Sequence, residues 1–394
     1  MNIAMVDLPE QRIKLFPFTL TRPISRLKVG ILTIGEKWEQ YLGQNVDALS
    51  SNQLNKIFQS SSSPYQLVVN AAICPDTELI RAVKNLTEGQ VLSANNVFIA
   101  ACGNFDSNED IEKLKEYQSI NYNHPFTVIN RTWDLFLNNG DQIQKDFSLL
   151  TADKKSETID DPNTIVYGKE NVFLEKGVKV KAAILNAESG PIYLSKGSQI
   201  QEGAAIRGPF FLGENSTVNM NAIIREACTI GPNSKIGGEL SNSIIYGNSN
   251  KAHGGFLGNS VIGEYCNLGA ATNNSNLKNN YGQVKMWDYL GKQYIDTGLQ
   301  FCGLMLGDHS KSAISTTFNT GTTVGVSCNI FGNGFPNKNI PSFSWGAIGS
   351  LETYSFEKAI DTAKKVLERK GTNLVAEDEE LLKNIFESSA KYRR

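Results

Sequence analysis

The chain has 394 residues, enough for two or three domains of ordinary size. Its 38 Lys+Arg and 40 Asp+Glu give a formal net charge of −2, which argues against a dedicated binder of nucleic acid or of anionic membranes. Glycine is unevenly distributed, since 27 of the 34 glycines lie between Gly168 and Gly349. A glycine-rich stretch that still carries regular Val, Ile and Leu is unlike both a helical domain and a disordered one.

Nothing in the sequence indicates a secreted or membrane-bound protein. Residues 1–9 lack the basic and apolar segments of a signal peptide. No apolar run is as long as the about 18 residues that a helix needs to cross a membrane. The six cysteines are scattered without a CxxC pair, which is typical of small buried residues in a reducing compartment: Cys74, Cys102, Cys228, Cys266, Cys302 and Cys328. We therefore expect a cytoplasmic protein with no bound metal.

Residues 1–125 show the alternation of a layered α/β domain. Apolar runs predict strands, and stretches with helical spacing predict helices between them. The predicted strands are Asn2–Val6, Leu67–Asn70 and Val97–Ala100, and the predicted helices are Lys37–Leu42, Asp76–Leu86 and Glu109–Tyr117. Residues 126–163 are expected to form a linker helix and connector.

From Val166 onwards, an apolar residue recurs at every sixth position. A period of six fits a short strand and a turn, with the aliphatic side chain pointing at the axis of a prism. Three such sides make a coil of about 18 residues, so residues 164–350 are expected to form a parallel β-helix whose corners favour Gly and Asn. The repeating positions are Val166, Val172, Val178, Ile184, Ile200, Ile206, Leu212, Val218, Ile224, Ile230, Ile236, Ile262, Leu268, Phe318, Val324 and Ile330.

The repeat is interrupted once and is then followed by helices. Residues 273–303 lose the period of six, and a long excursion from such a solenoid is usually functional or part of an interface. Beyond Trp345, apolar residues at helical spacing predict one helix after an N-cap at Ser355 and a second from Glu377 to Tyr392. Residues 351–394 are expected to form a helical cap over the open end of the β-helix.

Of the three histidines, His253 is the candidate for chemistry. It lies where the repeat of six loosens, and the two glycines that follow it leave space beside it. A neutral imidazole with a pKa near ~6.5 suits the removal of a proton from an ammonium or hydroxyl nucleophile. The alternative is an ordinary surface or hydrogen-bonded histidine, and His124, which precedes Pro125, is expected to be structural.

At these residues the chain resembles a known family. Its motifs are similar to those in the acetyltransferase half of the bifunctional N-acetylglucosamine-1-phosphate uridyltransferase/glucosamine-1-phosphate acetyltransferases, which include archaeal sugar-1-phosphate nucleotidyltransferase relatives. The resemblance implies a left-handed parallel β-helix, a homotrimer and acetyl-CoA as co-substrate. The motifs that carry it are Asn242-Ser243-Ile244-Ile245, Ala252-His253, Leu257-Gly258, Val261-Ile262-Gly263, Asn267-Leu268-Gly269-Ala270, Asn276-Leu277, Leu306-Gly307-Asp308-His309 and Thr320-Gly321-Thr322-Thr323-Val324-Gly325.

The resemblance also implies roles for single residues. His253 falls on the general base, and Asn276 falls on the asparagine beside the reacting amine, at the family's own interval from the histidine. The matched substrate-binding positions are Asn267 for the amino sugar, Arg225 for its phosphate, and Lys285 from the excursion.

Two further positions are assigned to coenzyme A, although neither carries the family's own residue. Asp308 stands where the bacterial enzymes have a serine, and Lys338 is taken as the basic residue that meets coenzyme A. The chain departs from the family at Ser241 and Phe256, which replace a lysine and a tyrosine. Loss of a phosphate-binding cation weakens charge-assisted contacts, so the sugar is left open.

The N-terminal half resembles the nucleotidyltransferase module of the same family, through Leu15–Pro23 and Trp133-Asp134-Leu135. Three features depart from it. The loop from Met5 to Arg12 has no glycine, Ile24 replaces a lysine, and Asn70-Ala71-Ala72 replaces a Gly-Asp pair. Two interpretations stay open: a degenerate domain, or a rearranged nucleotide site that uses Mg²⁺ only if it is active. That site would be formed by Asp7, Arg12, Arg22, Arg26 and Lys28.

The sequence therefore leaves three functions open. The first is coenzyme A-dependent N-acetyl or acyl transfer to an amino-sugar phosphate or nucleotide sugar, with His253 as general base. The second is nucleotidyl transfer from an NTP to a sugar 1-phosphate in the N-terminal domain. The third is a non-catalytic scaffold that binds nucleotide sugar or acyl-CoA. A metal-dependent hydratase is disfavoured because it needs three histidine ligands, and only His253 and His309 lie in the β-helix.

Overall fold

A computed structural model describes residues 2–58, 64–347 and 349–393. They form two compact units. The first unit holds the chain as far as Arg131, except for two short segments, Phe16–Phe18 and Val29–Ile31. Those two segments belong to the second unit, together with the described residues after Arg131.

The first unit is an α/β sheet domain, as predicted. Its six-stranded sheet has the order β2-β1-β3-β6-β5-β7, and β4 pairs with β8 beside it. The strands are β1 Ile3–Val6, β2 Asp47–Leu49, β3 Tyr65–Asn70, β4 Ile73–Cys74, β5 Gln90–Ala94, β6 Val97–Phe105, β7 Gln118–Asn121 and β8 Thr127–Val128. The helices are α1 Pro9–Lys14, α2 Ile34–Leu42, α3 Asn52–Phe58 and α4 Thr77–Lys84. The predicted helix at 109–117 is a 3₁₀ helix, Asn108–Glu116.

Capping residues determine where the main helices of this unit begin. Thr33 and Glu36 form a capping box at the start of α2, in which each side chain accepts a hydrogen bond from the other residue's N–H. Asp76 caps α4 by accepting from the N–H of Leu79 at 2.9 Å. The polar residues that precede each apolar run therefore fix the helix starts.

The second unit is a parallel β-helix with three faces. Face 1 holds β10 Val172–Leu174, β13 Ile192–Leu194, β16 Phe210–Leu212, β19 Cys228–Ile230, β22 Ile244–Ile245, β25 Val261–Ile262, β30 Leu304–Leu306, β33 Thr322–Val324 and β35 Asn339–Ile340. Face 2 holds β11 Lys179–Val180, β14 Gln199–Ile200, β17 Thr217–Val218, β20 Lys235–Ile236, β23 Asn250–Lys251, β26 Asn267–Leu268, β31 Lys311–Ser312, β34 Asn329–Ile330, β36 Ser344–Ala347 and β37 Ser350–Thr353.

Face 3 is shorter than the other two. It holds β9 Ile165–Tyr167, β12 Ile184–Asn186, β15 Ala205–Arg207, β18 Ile223–Ile224, β21 Glu239–Ser241 and β24 Phe256–Gly258. Beyond it lies a separate pair, β27 Asn273–Asn274 and β32 Thr317–Phe318. The excursion contains an antiparallel hairpin, β28 Lys285–Asp288 and β29 Gln293–Asp296.

The period of six is confirmed as the interior of the β-helix. The seven predicted positions from Ile200 to Ile236 are all buried in one apolar cluster. Ile184 is a correction, because it is 43% exposed and its neighbour Leu185 is buried instead. The reason is the length of this coil. The paired residues Val172 and Ile192 are further apart in the sequence than Phe210 and Cys228, which are paired across a regular coil.

Asparagine takes the left-handed backbone conformation at the corners, as the sequence predicts. Asn233 has φ +54° and Asn248 has φ +61° on successive coils, where most residues with a β-carbon are strained. The coils here are short. The paired residues Thr229 and Ile244, and likewise Ile244 and Val261, are separated by fewer residues in the sequence than the partners of a regular coil. This shortening is the physical basis of the loosened repeat near His253.

Helix α5, Thr132–Thr151, packs on the outer surface of face 1. Asn139 is its central contact: its Oδ1 accepts from the N–H of Gly30 and from the hydroxyl of Thr229, and its Nδ2 donates to the carbonyl of Ala227. Ile143 packs there against Phe173 and other aromatic side chains. The stretch that the sequence assigns to a linker thus contains a helix of the second unit.

Two helices follow the last coil, α6 Phe356–Arg369 and α7 Ala376–Ser389. Strand β37 covers the edge of face 2, and Phe343 of the last coil packs against Phe386 of α7. Lys370, at the end of α6, donates to the carbonyl of Asn233, so α6 also runs back along the β-helix. Ser355 precedes α6 as predicted, but its hydroxyl bonds to the Glu357 carboxylate and makes no capping bond.

Five of the six cysteines are buried and Cys102 is half-buried, which agrees with their predicted role as small core residues. Within the described residues, no helix combines the length and apolarity needed to cross a membrane.

Candidate functional site

His253 lies at the corner between β23 on face 2 and β24 on face 3, and its side chain is exposed. The backbone around it is bound to the coils on both sides. The carbonyl of Ala252 accepts from the side-chain amide of Asn219 at 2.8 Å, and that of Gly254 accepts from the N–H of Ala271 at 3.0 Å. The exposed imidazole therefore stands on a fixed backbone.

Lys251 lies beneath this corner and was missed as a functional candidate. It is paired with Ile236 in the register of face 2, points into the interior and is only 1% exposed. Its Nζ donates to the carbonyls of His253 at 2.6 Å, Gly254 at 3.2 Å and Gly237 at 3.3 Å. Burial lowers its pKa to about 8. The period of six does not mark this lysine as interior, because it lies 15 residues after its partner Ile236 and not 18.

Next to this corner, side chains replace the backbone ladder of face 3. Within the described residues, that ladder ends at β24 and resumes only in the pair β27–β32. The N–H groups of Phe256 and Gly258 donate to the side-chain oxygens of Asn273 and Asn274, and the Asn274 amide donates to the carbonyl of Gly258. The asparagine run that the sequence assigns to the start of the excursion is therefore still part of a coil.

Asn276 lies at the other end of β24 from the His253 corner. Its side-chain amide donates to the Oδ1 of Asn259, the residue after β24, at 2.8 Å. Asn267 is exposed on face 2, one coil after Asn250, with which it pairs. The three predicted residues thus occupy neighbouring coils, with His253 and Asn276 at opposite edges of face 3.

Arg225 projects from the outer side of face 3. Its guanidinium forms an exposed ion pair with Glu239, 3.4 Å apart, and Glu239 is in register with Phe256 on the next coil. This arrangement brings a cation to the face that contains β24. In water such an exposed pair is weak, so an anionic ligand can compete with Glu239 for Arg225.

Lys285 and Lys338 are brought together beside the hairpin. The Nζ of Lys338 donates to the carbonyl of Lys285 at 3.0 Å, and the Nζ of Lys285 lies 3.8 Å from the Asp296 carboxylate. Burial and the nearby Lys278 ammonium lower the pKa of Lys338. The hairpin strand that carries Lys285 contacts β33 of face 1, so these lysines lie away from the His253 corner of the same chain.

Asp308 is buried at a corner of face 1. Its carboxylate accepts from the N–H of Glu264 at 2.8 Å, and its own carbonyl accepts from the N–H of Ser327. The structure thus gives Asp308 a bond that holds two coils together. Its assignment to coenzyme A stays a prediction.

In the first unit, the predicted nucleotide residue Asp7 directly follows β1. Its carboxylate accepts from the hydroxyl of Ser50 and from the N–H of Ile24, and Arg12 lies 4.0 Å away. Burial raises the pKa of Asp7 to about 6, although these three groups act in the opposite direction. Arg22 is buried, whereas Arg26 is exposed.

Within the described residues, side chains alone do not form a complete set of ligands for Mg²⁺, which in nucleotide sites usually takes part of its coordination from the substrate phosphates. Both oxygens of Asp7 already accept hydrogen bonds, and no group of three or more His, Cys, Asp or Glu side chains in this part of the chain is arranged to hold a metal ion. Asn70, the last residue of β3, is buried and bonds to the backbone of Ala72 and Phe98. It therefore supports the sheet where the resembled family has its Gly-Asp pair.

The chain is similar to known proteins, and the matching family model covers the first unit. Residues 3–155 match the sugar nucleotidyl transferase family. A bifunctional sugar-1-phosphate nucleotidylyltransferase/acetyltransferase of Sulfurisphaera tokodaii is 30% identical over 180 residues, which are 45% of this chain and 42% of that protein. A bifunctional protein GlmU of Methanocaldococcus jannaschii is 32% identical over 90 residues, 23% of this chain and 21% of that protein.

The resemblance predicted from the sequence is thereby confirmed, although the matched regions span less than half of each curated relative. Among solved structures, an Arabidopsis UDP-N-acetylglucosamine acyltransferase is 16% identical, covers 60% of this chain and 99% of its own, and has a TM-score of 0.23.

The raised pKa of Asp7 predicts a pH effect on stability. The folded state binds this proton more tightly than the unfolded chain does, so the stability that Asp7 contributes falls as the pH rises from about 4 through about 6. The shift corresponds to about 2–3 kcal/mol. Asp7→Asn should remove this loss, which urea unfolding midpoints at pH 4.5 and 7.5 would measure.

The exposed Asp160 supplies the control, since Asp160→Asn should keep the wild-type pH dependence. The Asp7 carboxyl carbon should also titrate near pH 6 by NMR. A midpoint near pH 4, the usual value for an aspartate, would contradict the structural account.

Proposed function

We propose that the chain is a transferase that acts on sugar phosphates, and that its β-helix carries out coenzyme A-dependent N-acetyl transfer to an amino-sugar phosphate or nucleotide sugar. The observation that carries this proposal is the His253 corner. An exposed imidazole stands there on a backbone bound from both sides, beside the point where face 3 loses its backbone ladder. The bifunctional relatives support the reaction class.

In the proposed reaction the sugar amine attacks the thioester carbonyl carbon of acetyl-CoA. A carbon–nitrogen bond forms, the carbon–sulfur bond breaks, and His253 takes the proton from the amine and passes it to the departing thiolate. Ala270 immediately precedes Ala271, whose N–H donates to the carbonyl of Gly254. The N–H of Ala270 makes no hydrogen bond within the described residues, and it is our candidate for stabilising the oxyanion.

We further propose a homotrimer in which each site is completed by a neighbouring copy. In one chain, His253 lies at one edge of face 3, whereas Asn276 and the lysines of the hairpin lie towards the other. On earlier coils the outer surface of face 3 carries an apolar stripe in register: Ile165, Ile184 and Ile223 are 49%, 43% and 51% exposed. Such a stripe is typical of a surface that packs against another protein.

A cytoplasmic location is part of the proposal. It is supported by the six free cysteines and by the need for acetyl-CoA as co-substrate.

His253→Ala should abolish acetyl transfer while the protein stays folded. Loss of a general base lowers the turnover rate by about 10²–10⁴-fold. Release of free coenzyme A thiol, with glucosamine 1-phosphate and then other amino-sugar phosphates as acceptors, measures the effect. The exposed His124 of the first unit provides the control, because His124→Gln should keep the wild-type rate.

Two outcomes would count against this assignment. Undiminished turnover in His253→Ala would exclude the histidine as the base. Thermal stabilisation by acyl-CoA or nucleotide sugar, without any product from the wild-type chain, would favour the non-catalytic scaffold.

Charge on the apolar stripe tests the trimer. Ile184→Glu combined with Ile223→Glu should give a folded monomer in light scattering and circular dichroism, with acetyl transfer lost. The control Val375→Glu changes a similarly exposed residue before α7 and should leave the mass of the assembly unchanged. A wild-type monomer that is fully active would overturn the shared site.

The match of residues 3–155 to the sugar nucleotidyl transferase family favours a second activity in the first unit. There we propose nucleotidyl transfer from an NTP to a sugar 1-phosphate, with release of pyrophosphate. Arg12 supplies a cation beside Asp7, and the exposed Arg26 and the half-buried Lys28 supply positive charge near Glu36. The absence of glycine from the loop after β1 removes the usual close backbone approach to the phosphates.

Pyrophosphate release should require the NTP, the sugar 1-phosphate and Mg²⁺ together, and Arg12→Ala should lower it. An assay across several nucleotides and sugars, with and without EDTA, measures this. If acetyl transfer proceeds and no combination releases pyrophosphate, the first unit is a degenerate domain.

A further inference from the structure

Lys251 is a charged side chain in the interior of the β-helix, and the repeat does not explain its role. At the equivalent position of face 2, the coils before it carry Val218 and Ile236, and the next coil carries Leu268, all buried. Lys251 places an ammonium in this apolar column. A buried charge without a carboxylate partner is costly, and an aliphatic residue would fill the position better.

We propose that Lys251 is a positioning residue for His253, whose buried ammonium holds the corner in the conformation that directs the imidazole outward. This inference rests on the proposed acetyl transfer. Lys251 itself touches no substrate, because its Nζ is enclosed by protein and bonded to three carbonyl oxygens. It acts through the backbone of the residue that does the chemistry.

The number of hydrogen bonds supports a charged amine. An ammonium has three N–H donors and no acceptor, and the corner presents three carbonyl acceptors, from Gly237, His253 and Gly254. A neutral amine would have only two donors. The site is thus complementary to the protonated form, which offsets part of the cost of burial.

The geometry explains why the corner needs such a clamp. Two glycines follow His253, and Gly255 has φ +118°, so the backbone has more freedom here than at an asparagine corner. The coils around it are shortened and the ladder of face 3 ends beside it. Bonds from Lys251 to two successive carbonyls restrict this freedom and fix the direction in which His253 leaves the backbone.

The chain offers a matched comparison two coils further on. Lys311 is on the same face, and its Nζ also donates to the carbonyl of a histidine just before it in the chain, His309, at 2.8 Å. Lys311 makes a single such bond, and its backbone is paired with Asn267, so its side chain takes the outward alternation of the strand. Lys311→Met thus controls for the loss of a lysine–carbonyl bond without disturbing the His253 corner.

The test compares Lys251→Met with Lys311→Met in the full chain. In Lys251→Met we expect kcat for acetyl transfer to fall by about ten- to a hundredfold, because a small misplacement of a catalytic group has effects of that size. KM for acetyl-CoA should change less than about threefold, since the lysine does not touch it. Lys311→Met should retain the wild-type kcat.

A second readout does not depend on activity. The N–H groups of Ala271 and Glu239 donate to the carbonyls of Gly254 and Gly255, so their hydrogen exchange reports on the corner. We expect both amides to exchange faster in Lys251→Met than in wild type or Lys311→Met, and the NMR signals of the His253 imidazole to shift while those of His124 stay in place.

Equal exchange and equal kcat in the two methionine variants would overturn the inference. If Lys251→Met does not fold, Lys251→Gln, which keeps an uncharged donor on a shorter stem, should give the same changes to a smaller degree. Wild-type exchange in that variant would also overturn it. If the wild-type chain transfers no acetyl group, the proposed function fails, yet the exchange experiment still decides whether Lys251 fixes the corner.

Discussion

The second unit depends on one constraint: each side of each coil must present an apolar side chain inward and then turn through a left-handed corner. Parallel strands stacked in this way pair their backbone groups with the coils before and after, so the aliphatic column and the hydrogen-bond ladder reinforce each other. A coil departs from the pattern only where other groups satisfy its backbone. Around β24 those groups are the amides of Asn273 and Asn274 and the ammonium of Lys251.

The period of six makes the interior predictable from sequence, because a buried column needs the same kind of residue at a fixed interval. It fails at Ile184, where a longer coil between Val172 and Ile192 moves Leu185 to the interior. It also fails at Asn273 and Asn274, since their polarity resembles that of a loop although they lie in a strand of the coil. Periodicity reports the repeat of side chains, whereas the length of each coil depends on corners that different residues can form.

The site was predictable to a similar extent. His253 could be singled out because a histidine followed by two glycines interrupts an aliphatic repeat. Lys251 could not, because a lysine in a loosened stretch is normally exposed, and only the pairing with Ile236 shows that it points inward. Asp308 shows the converse: a carboxylate in a family motif is buried and bonds to the backbone of Glu264. In the first unit, the sequence likewise shows the residues around Asp7 but not that burial raises its pKa.

Four kinds of departure from regularity coincide in one part of the solenoid. A shortened coil, a buried ammonium, a corner with two glycines and a break in the ladder of face 3 all lie between Ile230 and Asn276. Each of them lowers stability when taken alone. A change in coil length also occurs elsewhere, between Val172 and Ile192 and between Thr323 and Asn339, whereas here it coincides with the buried ammonium of Lys251. Their convergence on the backbone that carries His253 supports the proposal that regular pairing is interrupted here to hold this side chain in place.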